Sequence, residues 1–139
     1  MSIDISNWIK FGQTANADFY EISPGFLAVV PFNNCTDDET TAKASVQTQL
    51  EYLQYKKQRA AVVIFMDNII QQTAGARAVY RDMPDPACQA CFALVGGTFF
   101  GRAVGSFFLG LSKPRVPTQM FGTLEQALEW CRSQVNKIE

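Results

Sequence analysis

The 139-residue chain contains no histidine. That absence removes serine–histidine and cysteine–histidine catalysis and every histidine-ligated metal centre, and with them much of the hydrolase repertoire. Net charge is almost absent too: twelve lysines and arginines face thirteen aspartates and glutamates, for a balance of −1. A general nucleic-acid binder carries a basic stripe, so no nucleic-acid partner is expected. The amino-terminal stretch MSIDISNWIK holds Asp4 and no apolar core of signal-peptide length. The expected compartment is the cytoplasm, where Cys35, Cys88, Cys91 and Cys131 would be reduced. The acidic residues form no paired motif, and no cofactor fingerprint is present, so no cofactor is assigned.

What the chain does have is apolar mass: 47% hydrophobic residues, including eleven phenylalanines. A single domain of this length buries about two-thirds of its unfolded surface and needs no staple. Residues 1–17 read as an irregular extension with Trp8, Ile9 and Phe11 as anchors. Phe19–Ile22 and Phe26–Phe32, joined by Ser23-Pro24-Gly25, read as an antiparallel hairpin. Thr36-Asp37-Asp38-Glu39 fits a capping box opening a helix to about Gln58, with Ala42, Val46, Leu50 and Leu53 on one face.

The run AAVVIFM, Ala60–Met66, suits a strand covered on both faces, and Asp67 ends it. A short helix from Thr73 carries Ala76, Val79 and Tyr80 and stops before Pro84. Phe92–Val95 is the next buried strand. Gly96-Gly97 then turns into a helix over 98–111, followed by a strand Val116–Phe121. Thr123-Leu124-Glu125-Gln126 caps a last helix whose apolar face is Leu124, Ala127, Leu128, Cys131 and Val135. The order β-β-α-β-α-β-α-β-α predicts an α/β fold over residues 1–139. Its mixed, mainly parallel sheet would be flanked by helices, with the first strand antiparallel at an edge.

That order, with residues 101–110 (GRAVGSFFLG), 113–118 (KPRVPT) and Phe121 followed by Glu125, Ala127, Leu128, Glu129 and Trp130, is similar to the SpoIIAA-like (STAS) family of small bacterial domains. The resemblance covers roughly 19–136 and is most specific over 101–130. It implies a SpoIIAA-like fold. Family members that antagonise anti-sigma factors carry Asp-Ser-Ser-Gly with a phosphorylated serine at a helix start. The equivalent here, Gln72-Thr73-Ala74-Gly75, lacks the aspartate and keeps only the Thr73 hydroxyl. Thr73 is therefore the one candidate phosphorylation site, and an ordinary N-cap otherwise.

Other signals weigh toward structure. Cys88-Gln89-Ala90-Cys91 has CxxC spacing, but no second pair or histidine completes a metal site, and Cys91 reads as a small buried hydrophobe. Gly96-Gly97-Thr98 lies where α/β domains bind anions, yet matches neither a P-loop nor a dinucleotide fingerprint. A membrane span over 91–111 is discounted, because the glycine pair divides it and Arg102 sits within it.

The helix over 98–111 has an apolar arc of about 180°, where one sheet face needs about 100°. Phe99, Phe100, Phe107 and Phe108, with Arg102, Lys113 and Arg115, are accordingly the candidate binding residues. The expected function is a non-enzymatic regulatory or binding module acting through a protein partner or a homodimer. The alternative is a carrier of apolar ligands, or a peripheral membrane binder using the same phenylalanines.

Overall fold

A computed structural model of the chain describes residues 5–98 and 115–136. Eight strands are described: β1 Ile9–Gln13, β2 Ala17–Ser23, β3 Phe26–Pro31, β4 Cys35–Asp37, β5 Ala60–Phe65, β6 Ile69–Gln72, β7 Gln89–Val95 and β8 Thr118–Phe121. The described helices are α1 Glu39–Lys56, α2 Ala74–Asp82 and α3 Leu124–Val135. The expected helix over 98–111 falls outside the described residues, apart from Thr98.

The main sheet has six strands in the order β1-β2-β3-β5-β7-β8. Its β1–β2 and β2–β3 pairings are antiparallel, and β3–β5, β5–β7 and β7–β8 are parallel. The mixed, mostly parallel sheet with helices on both faces is thus the expected architecture. Every residue of β5 and of β7 is buried, which is why both read as unbroken apolar runs. The β2–β3 hairpin turns at Gly25, whose φ of 90° only glycine adopts without strain.

Side chains alternate between two cores. One face holds Phe19, Leu27, Val29, Val62, Ile64, Phe92 and Leu94 beneath Leu53 of α1. Fully burying side chains such as Phe19 and Phe92 contributes about 1.5–3 kcal/mol each. The other holds Ala28, Ala61, Val63, Phe65, Cys91, Ala93 and Val95 against Ala127 and Cys131 of α3. Helix α2 packs on α1 through Ala42, Val46, Ala76 and Val79. Of the predicted faces, Ala42, Val46, Leu53, Ala76, Val79, Ala127 and Cys131 are buried, while Leu50, Tyr80, Leu124, Leu128 and Val135 are half-buried.

Several expectations are corrected. Residues 9–13 are not irregular: they form β1 outside β2, so the hairpin's first strand lies one place in from the edge. Lys-Phe-Gly-Gln has little strand propensity, and tertiary contact supplies the reason. Phe11 stacks on Tyr52 at 3.9 Å between ring centroids, and Gly12 lets Thr48 approach so closely that a Cβ would lie 2.8 Å from its methyl. Of the three anchors, Trp8 and Phe11 pack inward, whereas Ile9 is 65% exposed.

The α1 cap lies two residues later than expected. Asp38 accepts from the Thr41 amide and Thr41 Oγ1 accepts from the Asp38 amide, both at 2.9 Å. Thr36 and Asp37 belong instead to β4, which pairs parallel with β6 in a second, two-stranded sheet. β7 begins at Gln89 rather than Phe92, and β8 at Thr118 rather than Val116.

Candidate functional site at the carboxyl edge of the sheet

Parallel α/β sheets present ligand crevices beyond the carboxyl ends of their strands. Here that edge gathers the starts of all three described helices and the small β4–β6 sheet that follows β3 and β5. Its central group is Asp37, 2% exposed on β4. One side-chain oxygen accepts from Thr41 Oγ1 at 2.7 Å and from Asn16 Nδ2 at 3.4 Å. The other accepts from Tyr80 OH at 2.8 Å and from Gln72 Nε2 at 3.2 Å. Four segments donate to one side chain.

Burial, with Asp37 as neighbour and acceptor, holds the Tyr80 phenol well above its ordinary pKa, so Tyr80 is a donor here. From Tyr80 the polar contacts continue through Ser45 to Gln49 and Gln89. Tyr80 bonds Ser45, Gln49 Nε2 donates to Ser45 Oγ at 3.2 Å, and Gln89 Nε2 donates to Gln49 Oε1 at 2.8 Å. Gln89 Oε1 then accepts from the Asp85 amide at 2.9 Å. Ser45, Gln49 and Gln89 are all buried, so this line of bonds is what makes polar burial under α1 affordable in free energy.

Two cavities of about 20 Å³ each adjoin Asp37, Tyr80, Ile64 and Ile69. That is room for about one water molecule, far below what a substrate needs. Gln72 lines one of them, and its Oε1 is an enclosed acceptor without a donor among the described residues.

The second acid of this edge is Asp67, just past β5, the strand-end acid singled out in the sequence. Its carboxylate accepts from the Gly97 amide at 3.0 Å, from the Thr98 amide at 2.9 Å and from Thr98 Oγ1 at 2.8 Å. Burial pulls its pKa upward, but these donors outweigh it and hold the group below the usual carboxylate range. The Gly96-Gly97-Thr98 turn is an anion cradle in form, and Asp67 fills it.

The sequence-predicted residues divide. Thr73 is the N-cap of α2, its hydroxyl accepting from the Ala76 amide at 3.1 Å. A Cβ on Gly75 would lie 3.2 Å from Glu39 Oε1, so a phosphate on Thr73 would be added beside an acidic side chain. Arg115 is exposed at the opposite, amino edge, where its amide donates to the Arg81 carbonyl at 3.2 Å. Thr73 and Arg115 are therefore not brought together. Phe99, Phe100, Arg102, Phe107, Phe108 and Lys113 lie outside the described residues.

The CxxC pair separates as well. Cys88 packs toward the α1 core and Cys91 is wholly buried in the α3 core. Sequence reasoning read Asp37 as part of a helix cap and Tyr80 as part of a helix face, and missed that they meet, since that contact spans 43 residues. The alternation of a strand could have separated Cys88 from Cys91, because residues three apart face opposite sides.

No helix among the described residues is long and apolar enough to cross a membrane. Nor do the described residues group three or more cysteine, aspartate or glutamate side chains in a way that could hold a metal ion. Fold and edge together define an α/β domain with a mixed, mostly parallel sheet and a carboxyl edge where, among the described residues, Asp37 and Asp67 bond the chain's own donors. Comparison with family profiles places the chain in DUF7793, a domain of unknown function, with residues 20–135 matched; the chain belongs to that family. No curated protein and no solved structure matches it.

Proposed function

We propose that this domain is a non-enzymatic module of SpoIIAA-like type that acts through protein contact, with a second copy of the chain as its partner. The observation that carries the reading lies on the sheet face covered by α3. That helix packs over β5, β7 and β8. Further along the same face, Tyr20, Ile22, Phe26 and Val30 of β2 and β3 are only partly buried, and Trp8 is the described residue that reaches over them. The apolar area is bordered by the Lys10–Asp18 ion pair at 3.0 Å, with Lys10 46% and Asp18 21% exposed. An apolar centre with a rim carrying both charge signs is self-complementary under a two-fold axis.

Two further features support a non-catalytic role. Asp37 and Asp67 are engaged by internal donors, and the cavities beside Asp37 hold about one water each. The fold proposal is supported by the parallel β3-β5-β7-β8 succession preceded by an antiparallel hairpin. Thr73 acts in this reading as a helix cap. The carrier or membrane reading depends on phenylalanines outside the described residues, and the small cavities do not favour it.

Sedimentation velocity across a concentration series tests the contact. The expected result is a concentration-dependent dimer that Ile22→Asp converts to monomer without lowering Tm. A wild-type chain that stays monomeric at every concentration overturns the reading.

A further inference from the structure

Gln72, the last residue of β6, has its amide orientation set by Asp37. Its Nε2 donates to Asp37 Oδ2 at 3.2 Å, and the reverse placement would set an amide oxygen against a carboxylate. That leaves Oε1 as the other end of the amide, enclosed and without a donor among the described residues. Enclosed acceptors in folded proteins are paired with a protein donor or with ordered water. The space beside Gln72 suits the second. A cavity of about 20 Å³ is lined by the polar residues Gln72, Asp37 and Tyr80 and by apolar Met66, Ile69 and Leu94, all three buried. One water needs about 10–15 Å³ and two to four polar partners, and both conditions are met. We propose that this cavity is the binding site of one structural water, held by Gln72 Oε1 and shared with Asp37 and Tyr80.

The bonding around each cavity decides between this one and its neighbour. The neighbouring cavity, also about 20 Å³, is lined by Asn16 and Ser45 together with Asp37 and Tyr80. Asn16 Nδ2 already donates to the Thr36 carbonyl at 3.2 Å, and Ser45 Oγ already accepts from Gln49 Nε2 at 3.2 Å. Gln58 Oε1, likewise enclosed and without a donor among the described residues, lines neither cavity. Space and a waiting acceptor coincide at Gln72.

The water donates one proton to Gln72 Oε1 and the other to the Asp37 carboxylate or the Tyr80 oxygen, so it links the end of β6 to β4 and to α2. The Thr73 amide, donating to the Asp37 carbonyl at 3.0 Å, fastens the same junction through the backbone. Met66, Ile69 and Leu94 offer the water no competing partner, so it stays far longer than a surface water.

Oxygen-17 magnetic relaxation dispersion of the full chain tests the site, because it counts long-lived waters and does not respond to the Tyr80 hydroxyl. The wild-type signal should fall by about one long-lived water in Gln72→Met, which keeps the side chain's length and removes the amide oxygen. Equal signals from the two proteins overturn the proposal. Should Gln72→Met fail to fold, a high-resolution crystal structure of the wild-type chain decides. An ordered water within hydrogen-bond distance of Gln72 Oε1 supports the site. A side chain or a metal ion in that place, or a dry cavity, overturns it.

Discussion

Removing the Asp37 side chain is the sharpest test of the carboxyl edge. Asp37→Ala deletes the acceptor of four donors at once. Two of them are replaced by water at little cost. Thr41 stands at the partly exposed start of α1, and the Asn16 contact is long at 3.4 Å. The Tyr80 hydroxyl at 2.8 Å and the Gln72 amide at 3.2 Å are enclosed, and an orphaned buried donor costs about 1–3 kcal/mol. The expected loss is therefore about 2–6 kcal/mol, a large share of the 5–15 kcal/mol typical of a domain.

Urea unfolding followed by the fluorescence of Trp8 and Trp130 measures it. Tyr80→Phe alone should cost about 0.5–1.5 kcal/mol, because Asp37 keeps three donors. Combining the two changes should be non-additive by about 0.5–3 kcal/mol, since each single change removes the same bond. A loss below about 1 kcal/mol for Asp37→Ala, or strict additivity, would refute the assignment of Asp37 as the organising group.

Gly12→Ala should destabilise by about 1–3 kcal/mol in the same urea assay, because its Cβ would meet the Thr48 methyl at 2.8 Å. Thr48→Ser, which removes that methyl and keeps the hydroxyl bonded to the Ala44 carbonyl, should recover most of the loss. Tyr52, donating to Glu21 Oε1 at 2.9 Å, has its pKa pushed up to about 12 by burial first and by Glu21 second. Because the folded value is raised, this contribution to stability is complete below the ordinary tyrosine pKa and is lost as pH climbs through about 12. An ultraviolet titration should show two late tyrosinates, those of Tyr52 and Tyr80, of which Tyr52→Phe removes one.

The sequence was informative wherever a rule is local. The apolar runs of β5 and β7, the Pro24-Gly25 turn and the caps at Thr73 and Thr123 needed no distant partner to be recognised. It was silent where a short polar element exists because of something far along the chain. β4 and β6 are only three and four residues long and carry the polar Asp37, Gln71 and Gln72, and they hold because Asp37 bonds Gln72 and Tyr80 across 35 and 43 residues. Thr36 satisfied the cap rule in the sequence, and the cap in the structure is Asp38. Pairing with Gln71 takes Thr36 into β4, and pairing is not a local property. Asp67 was legible as a strand-end acid, but its ligands Gly97 and Thr98 lie 30 and 31 residues on.

These two acids also bear on where such a fold can act. In an open α/β sheet the carboxyl edge is favoured for ligands because helix N-termini and strand-end amides converge there without partners of their own. This chain gives them partners. Asp67 takes the Gly97 and Thr98 amides, Asp38 caps α1, Thr73 caps α2, and Asp37 ties β4 to β6 and α2. An anion could enter the Gly97–Thr98 cradle only by displacing a carboxylate already held by three groups, two amides and a hydroxyl. Among the described residues, these bonds stabilise the fold and leave the strand-end amides and helix caps of the edge already engaged. On the sheet face beside α3, Tyr20, Ile22, Phe26 and Val30 stay only partly buried among the described residues, and the proposed contact is assigned to that face.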